Sequence, residues 1–317
     1  MEHNPFSETQ LSILPKIVGK DFEAKWCEGL DIEAYHGDRT ALSSSGLKVL
    51  VERTPSHFKS YWTAGMTVDK TNAALRYGSL AHLAILEPEK FKSRFVLEPK
   101  FEGLTKDGKV SSQSKEAKDK KASWYSSLPA GSLVVTAEDY AAITGSIRSI
   151  LAHEKAGRVI VGAKTEISGY FRHSTTGILC KLRPDIYHHD KKVLIDLKTT
   201  RDASEAFFSN EIARRNYHLS LAFYGHGIKQ ITGVEPQVYA LLAVEKEPPF
   251  ATALYTINKE TMDTARAWIE SGMQTLKQCL ETDKWPSYQD GIAEDISIPA
   301  WAHQKHLPMF NFDEEEV

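Results

Sequence analysis

The chain has 317 residues, of which 41% are hydrophobic and 26% charged; that suits one large domain or two modest ones with a full core. No apolar run approaches the roughly 18 residues a membrane span needs, and the net charge of −3 excludes a uniformly basic surface but not a basic channel inside an acidic exterior. Cys27, Cys180 and Cys279 are far apart and in no metal-binding spacing, which fits reduced thiols in a cytoplasm.

Met1-Glu2-His3-Asn4-Pro5 lacks the basic-then-apolar pattern of a leader. Residues 1–38 read as an N-terminal extension, mostly irregular or short-helical. A helix start follows at Ser43-Ser44-Ser45-Gly46-Leu47-Lys48. Serines supply the cap, and Leu47, Leu50 and Val51 recur at helical spacing. The helix should stop before Thr54-Pro55, and another should begin near Ser56 with Phe58, Tyr61 and Trp62 on one face. Helix N-termini attract anions, so Ser43, Ser44, Ser45 and Lys48, with Arg39 upstream, could form a phosphate pocket. A plain serine cap is the simpler alternative.

Ala73 to Leu86 is the next expected helix, stopped by Glu87-Pro88. Small residues at Ala74, Gly78, Ala81 and Ala84 suggest tight packing. His82 in this apolar stretch is either a hydrogen-bonded core residue or a neutral imidazole aimed at a metal. Residues 98–123 carry seven lysines among Gly, Ser, Thr and Gln and read as a mobile loop. From Thr136, as cap, a helix should run through Ile143, Ile147 and Ile150.

Residues 159–200 read as a meander of three strands. Ala163 to Arg172 contains Glu166, Gly177 to Tyr187 contains Asp185, and Lys192 to Thr199 contains Asp196 and Lys198. Alternation along a strand puts Asp196 and Lys198 on one face. A hairpin through His188-His189-Asp190-Lys191-Lys192 brings Asp185 beside them. Two close carboxylates repel, and a hard divalent cation such as Mg²⁺ resolves that repulsion with oxygen ligands, water and phosphate. The set suits metal-assisted phosphodiester hydrolysis. A short helix at Ser204 and a longer one from Asn216 to Ile228 follow. Val234 to Val244 is a strand, Ala251 to Ile257 its antiparallel neighbour, and Thr261 to Leu280 a long amphipathic helix. From Asp283 an extended tail should pack on the surface or on a neighbouring subunit.

In order, the Ser-Ser-Ser-Gly-Leu-Lys helix start, Tyr77-Gly78-Ser79-Leu80-Ala81-His82 with Leu86-Glu87-Pro88, Cys180-Lys181-Leu182-Arg183-Pro184-Asp185 with Asp196-Leu197-Lys198-Thr199-Thr200, and Tyr217-His218 with Ala222-Phe223-Tyr224 resemble the phage exonuclease VIII (RecE-type) family of the PD-(D/E)xK nuclease superfamily, distantly related to lambda exonuclease. The resemblance covers roughly residues 36–260. It implies an α/β fold, a restriction-endonuclease-like core with a central mixed β-sheet flanked by helices, in one exonuclease domain over 1–317. It implies His82, Asp185, Asp196 and the Leu197 carbonyl as metal ligands and Lys198 as the catalytic lysine. Tyr224 matches the Tyr of the family's Gln-x-x-x-Tyr motif, but Ser220 stands where the family has Gln. His218 could substitute, and Glu166 would be a carboxylate behind the ligands or beside the substrate. The helix start and Arg39 become the expected 5′-phosphate site.

The implied activity is a processive, Mg²⁺-dependent 5′-to-3′ exonuclease on linear double-stranded DNA. It would use two ions, with Mn²⁺ as a substitute, release mononucleotides and leave a 3′ single strand. The implied setting is a bacterial cytoplasm, with phage or prophage origin, a trimeric or tetrameric ring threaded by DNA, a phage single-strand annealing protein as partner, and no membrane. Such a ring reconciles DNA binding with a net charge of −3. The alternatives are a single-strand or RecB/Cas4-like repair nuclease, and a nuclease-fold module that binds DNA or a partner without cutting.

Overall fold

The computed structural model describes residues 14–64, 73–289 and 293–303. Two sheets and a surround of helices carry it. The strands are β1 (Lys25–Cys27), β2 (Phe95–Leu97), β3 (Gly103–Leu104), β4 (Val110–Ser111), β5 (Leu133–Val135), β6 (Lys164–Thr165), β7 (Ser168–Arg172), β8 (Leu179–Leu182), β9 (Ile186–His188), β10 (Val193–Thr200), β11 (Val238–Glu245) and β12 (Thr252–Thr256). The helices are α1 (Ile32–Gly37), α2 (Ser44–Glu52), α3 (Pro55–Ala64), α4 (Ala73–Leu86), α5 (Pro88–Arg94), α6 (Lys115–Ser127), α7 (Ala137–Ala152), α8 (Glu154–Ile160), α9 (Glu205–Arg214), α10 (Tyr217–Thr232), α11 (Lys259–Thr282) and α12 (Ala300–His303).

The main sheet runs β12-β11-β10-β9-β6 and is mixed, because β10 and β11 are parallel while the other pairs are antiparallel. A second, antiparallel sheet runs β1-β7-β8. β10 and β11 are buried on both faces, as a parallel pair covered by helices must be. Along β10 the period of two is visible in the packing. Leu194 enters the core shared with α2, α10 and α11, while Ile195 and Leu197 enter the core on the opposite face with Leu86 and Ile150. Asp196 and Lys198 therefore share the Leu194 face.

Several helices begin where their cap residues require. Ser43 accepts a hydrogen bond from Gly46 N, Thr136 from Asp139 N and Asn258 from Thr261 N, each satisfying an otherwise orphaned donor. Gly46 also lets α2 meet α3 closely, since a Cβ there would lie 2.3 Å from the Trp62 ring.

Two features differ from the sequence reading. The strands expected at 163–172 and 177–187 are each broken in two. Lys164–Thr165 and Ile186–His188 belong to the main sheet, Ser168–Arg172 and Leu179–Leu182 to the second. The breaks fall at Glu166, in the left-handed region with φ 49°, and at Arg183-Pro184-Asp185, where proline removes a ladder donor. The lysine-rich stretch expected as a loop folds into the β3–β4 hairpin and α6, which Ser114 caps and Lys120–Glu116 and Lys121–Glu98 pairs brace. The described part of the N-terminal extension is mostly irregular with one short helix, as expected, and it adds β1 to the second sheet and α1 to the cleft wall. In the tail, Trp285 stacks on Phe58 at 6.1 Å and Asp283 pairs with Lys59 at 2.8 Å; the acidic end, Asp313 to Glu316, lies outside the described residues.

Behind the second sheet, away from the cleft, His173 is 3% exposed. Its ring lies 4.9 Å from that of His226 and its Nε2 3.7 Å from Glu270. Burial, and then the neighbouring His226, push its pKa from 6.5 down to about 4, against the pull of Glu270. The unfolded chain therefore binds a proton that the fold refuses. Stability is full above about pH 6.5 and is lost as pH falls towards about 4, by at most about 3 kcal/mol. Urea midpoints measured across that window should fall more steeply for the wild type than for His173→Gln; parallel curves would contradict the assignment.

Candidate active site

One cleft, of about 1400 Å³, opens between α1, the start of α2, α4, the end of β10 and α9. Its floor is built by the hairpin of β9 and β10. Ile195 pairs with Ile186 and Leu194 with Tyr187, and one further step of that register puts Asp196 opposite Asp185. Leu197 N donates to Asp185 Oδ2 at 2.7 Å. Lys198 Nζ forms an ion pair with Asp196, lies 3.9 Å from Asp185 Oδ2 and donates to the Leu197 carbonyl at 3.0 Å. His82, one turn before the end of α4, puts Nδ1 3.7 Å from Asp185 Oδ2.

The electrostatics follow from crowding. Burial, and then the charge of Asp196, push the Asp185 carboxyl well above the usual carboxylate range. Burial alone would lower Lys198, but Asp196 and Asp185 together outweigh it and hold the ammonium above its ordinary value. Burial, with the Lys198 charge behind it, pushes His82 down to about 4. Its imidazole is thus neutral near pH 7, with a lone pair to give.

Glu166 differs in place from its sequence reading. The left-handed turn between β6 and β7 brings it into the cluster, where ligand atoms of His82, Glu166 and Asp185 all lie within 4.8 Å of one another. Arg183 Nε donates to Glu166 Oε2 at 2.7 Å, and its Nη1 donates to Ser168 Oγ at 2.8 Å and the Leu30 carbonyl at 3.1 Å. Burial still raises the Glu166 carboxyl against that partner. Two carboxylates and a neutral imidazole, with Asp196 adding a third negative charge beside them, fit a hard divalent cation. The buried Oδ2 of Asp196 accepts no hydrogen bond among the described residues; it meets Lys198 as an ion pair, beside the cluster rather than inside it.

The phosphate-pocket residues divide. Ser43, Ser44, Ser45 and Arg39 line the cleft. Ser44 Oγ donates to Tyr224 Oη at 3.2 Å, tying α2 to α10, and Arg39 Nη1 donates to the Trp62 carbonyl at 2.9 Å. Lys48 turns inward instead. It donates to the Arg215 carbonyl at 3.2 Å, lies 5.7 Å from the Tyr217 ring, and burial lowers it to about 8. Tyr217, given no role by the sequence reading, has Lys198 Nζ on its other cation contact at 5.1 Å.

Tyr224 lines the cleft; Ser220 is buried and does not. His218 cannot stand in for a missing Gln here, because its ring packs on Trp268 of α11 at 5.7 Å. Helical period explains it: Tyr217 and Tyr224 share a face, and residue 218 is turned about 100° from it.

Residues 43–296 match the family described as "PDDEXK-like domain of unknown function (DUF3799)". No curated protein matches the chain. Among solved structures, a protein from Eubacterium rectale named "Putative exonuclease" matches with a TM-score of 0.55 at 14% identity, over 90% of this chain and 97% of that one. Another, named SSO0001, reaches a TM-score of 0.25 at 20% identity, over 42% of this chain and 63% of that one. The first likeness is one of fold; the second carries no argument.

Proposed function

Because the chain belongs to the PDDEXK-like DUF3799 family, we propose that it is a divalent-metal-dependent exodeoxyribonuclease acting on linear double-stranded DNA from the 5′ end. The observation that carries the reading is the convergence of His82, Glu166, Asp185 and Lys198 on one cleft floor, with Asp196 paired to Lys198 behind it. The matched fold of a protein named "Putative exonuclease" supports it, as does the ordered motif set that resembles the RecE-type family.

His82, Glu166 and Asp185 would hold the ion, with Asp196 and the Leu197 carbonyl beside it. A bound divalent ion, Mg²⁺ in this reading and one of two in the reactive complex, supplies an acidified water and neutralises phosphate charge. Lys198 sits as an ammonium next to that position and stabilises negative charge growing on the phosphate. Arg183 keeps Glu166 turned into the cluster. Ser43 to Ser45, at the start of α2, and Arg39 receive the 5′ phosphate. Tyr224 braces that helix start through Ser44. A toroidal homo-oligomer, processive digestion and hand-over of the 3′ strand to a phage annealing protein complete the proposal.

The test is linear duplex DNA labelled at the 5′ or the 3′ ends, beside a closed circle. Early release of 5′-labelled mononucleotide from linear DNA, with the circle intact, is the expected result. Early release of 3′ label reverses the polarity, and cutting of the circle makes the protein an endonuclease.

A further inference from the structure

The cleft has a second wall that the proposed chemistry leaves unused. It is formed by the residues after β10 and by α9. Arg201, three residues beyond Lys198, is exposed, and its guanidinium lies 4.5 Å from the centre of the half-buried Phe207 ring. Lys246 stands beside them, because its N–H donates to the Thr200 carbonyl at 3.1 Å. All three line the cleft.

The charges on this wall are not neutralised as others nearby are. Arg214 and Arg215 share the carboxylate of Glu211 at 2.6 Å each. No carboxylate lies within ion-pair distance of Arg201 or Lys246 among the described residues. The acidic residues next in sequence, Asp202 and Glu245, each bond backbone, although Asp202 also feels the Arg201 charge. Asp202 accepts from Ser204 N at 2.8 Å and Glu245 from Ala203 N at 2.9 Å. Two cations outside any ion pair among the described residues, and a ring capped by a guanidinium, are thus held beside the cleft, just past the end of the strand that carries Lys198.

An aromatic ring backed by arginine, next to an unpaired lysine, is what a splayed nucleic-acid strand uses: a flat face for a base and a cation for the phosphate beside it. Three residues of extended chain span about 10 Å, or about three nucleotides of strand rise. We infer that Arg201 and Phe207 form a base-stacking platform, with Lys246 as its phosphate contact, for a single-stranded segment held within about three nucleotides of the cleaved bond. The inference rests on the nuclease reading for its strand but not for its platform. It also gives an end-directed nuclease a means of keeping the frayed strand apart from its complement.

The test is fluorescence anisotropy of a labelled single-stranded oligonucleotide, in chelator so that nothing is cut, with an abasic site walked through the sequence. Wild-type protein should lose about tenfold in affinity when the abasic site reaches one position near the 5′ end. Phe207→Leu should bind the intact strand as weakly as wild type binds that abasic one and should no longer distinguish them, whereas Phe207→Tyr retains the distinction. Arg201→Ala, at an exposed position, carries the same test if Phe207→Leu lowers stability. Lys246→Ala should weaken every strand alike and reduce the salt slope by about one. Full position-specific discrimination in both Phe207→Leu and Arg201→Ala overturns the platform, as does failure of folded wild type to bind the strand. The two readings fail separately: a position-specific penalty without cleavage in any divalent ion keeps the platform and ends the nuclease reading, and cleavage with unaltered discrimination in the variants does the reverse.

Discussion

Lys198→Ala stops DNA cleavage, to roughly a hundredth or a thousandth of the wild-type rate, while circular dichroism and oligomer size stay unchanged. The expectation comes from where the ammonium sits. It is tied to Asp196, 3.9 Å from Asp185 and bonded to the Leu197 carbonyl, so it cannot swing away to solvent. Its two carboxylate neighbours hold it protonated despite burial. That favours an electrostatic role over that of a base, and Lys198→Met, which keeps the stem and removes the charge, should be as inactive as the alanine variant. Methionine activity near wild type would mean that the stem's packing matters and its charge does not.

Arg183→Leu is expected to be the most destabilising single change near the cleft, at about 3–5 kcal/mol. The guanidinium side chain is 6% exposed and meets Glu166 at 2.7 Å and Glu87 at 3.7 Å, with side chains 12% and 14% exposed. It also satisfies Ser168 Oγ and the Leu30 carbonyl. Removing it strands Glu166 beside Asp185, itself already crowded by Asp196, leaves Glu87 with Lys90 alone, and leaves a carbonyl without its donor. Arg183→Lys should recover little, because a single ammonium cannot reach Nε-type and Nη-type partners at once. Urea unfolding reads the loss directly. A change within about 0.5 kcal/mol, the range of ordinary surface substitutions, would show that Glu166 does not depend on Arg183.

The reach of the sequence can be judged from the same residues. Asp196 and Lys198 were legible because an apolar run with a period of two allows one geometry, and the β9–β10 hairpin delivers Asp185 opposite Asp196 as the polar turn suggested. The limits of α4 were legible from its apolar run and the proline after it. The breaks in the two preceding strands were not. A strand that passes from one sheet to another keeps its alternation, and the signs left are Pro184 and a positive φ at Glu166 that no residue type announces. That break turns Glu166 towards the ligands, so its place in the cluster was hidden with it. Helix α6 was hidden because charged residues cover most of its surface and it buries Ala117 alone; its Ser114 cap was the available sign. His218 could have been set aside from helical period, since it cannot share the face of Tyr224. Ion-pair partners such as Glu87 and Arg183 come from distant segments, and pairing of that kind is written in the fold rather than in spacing.

Release of acid-soluble nucleotide from linear duplex DNA by the wild-type protein, measured in Mg²⁺ and in excess chelator, is the decisive measurement. Release should require the ion and return when the ion is restored. Undiminished release in chelator, or none with any divalent ion, would contradict the metal-dependent nuclease reading.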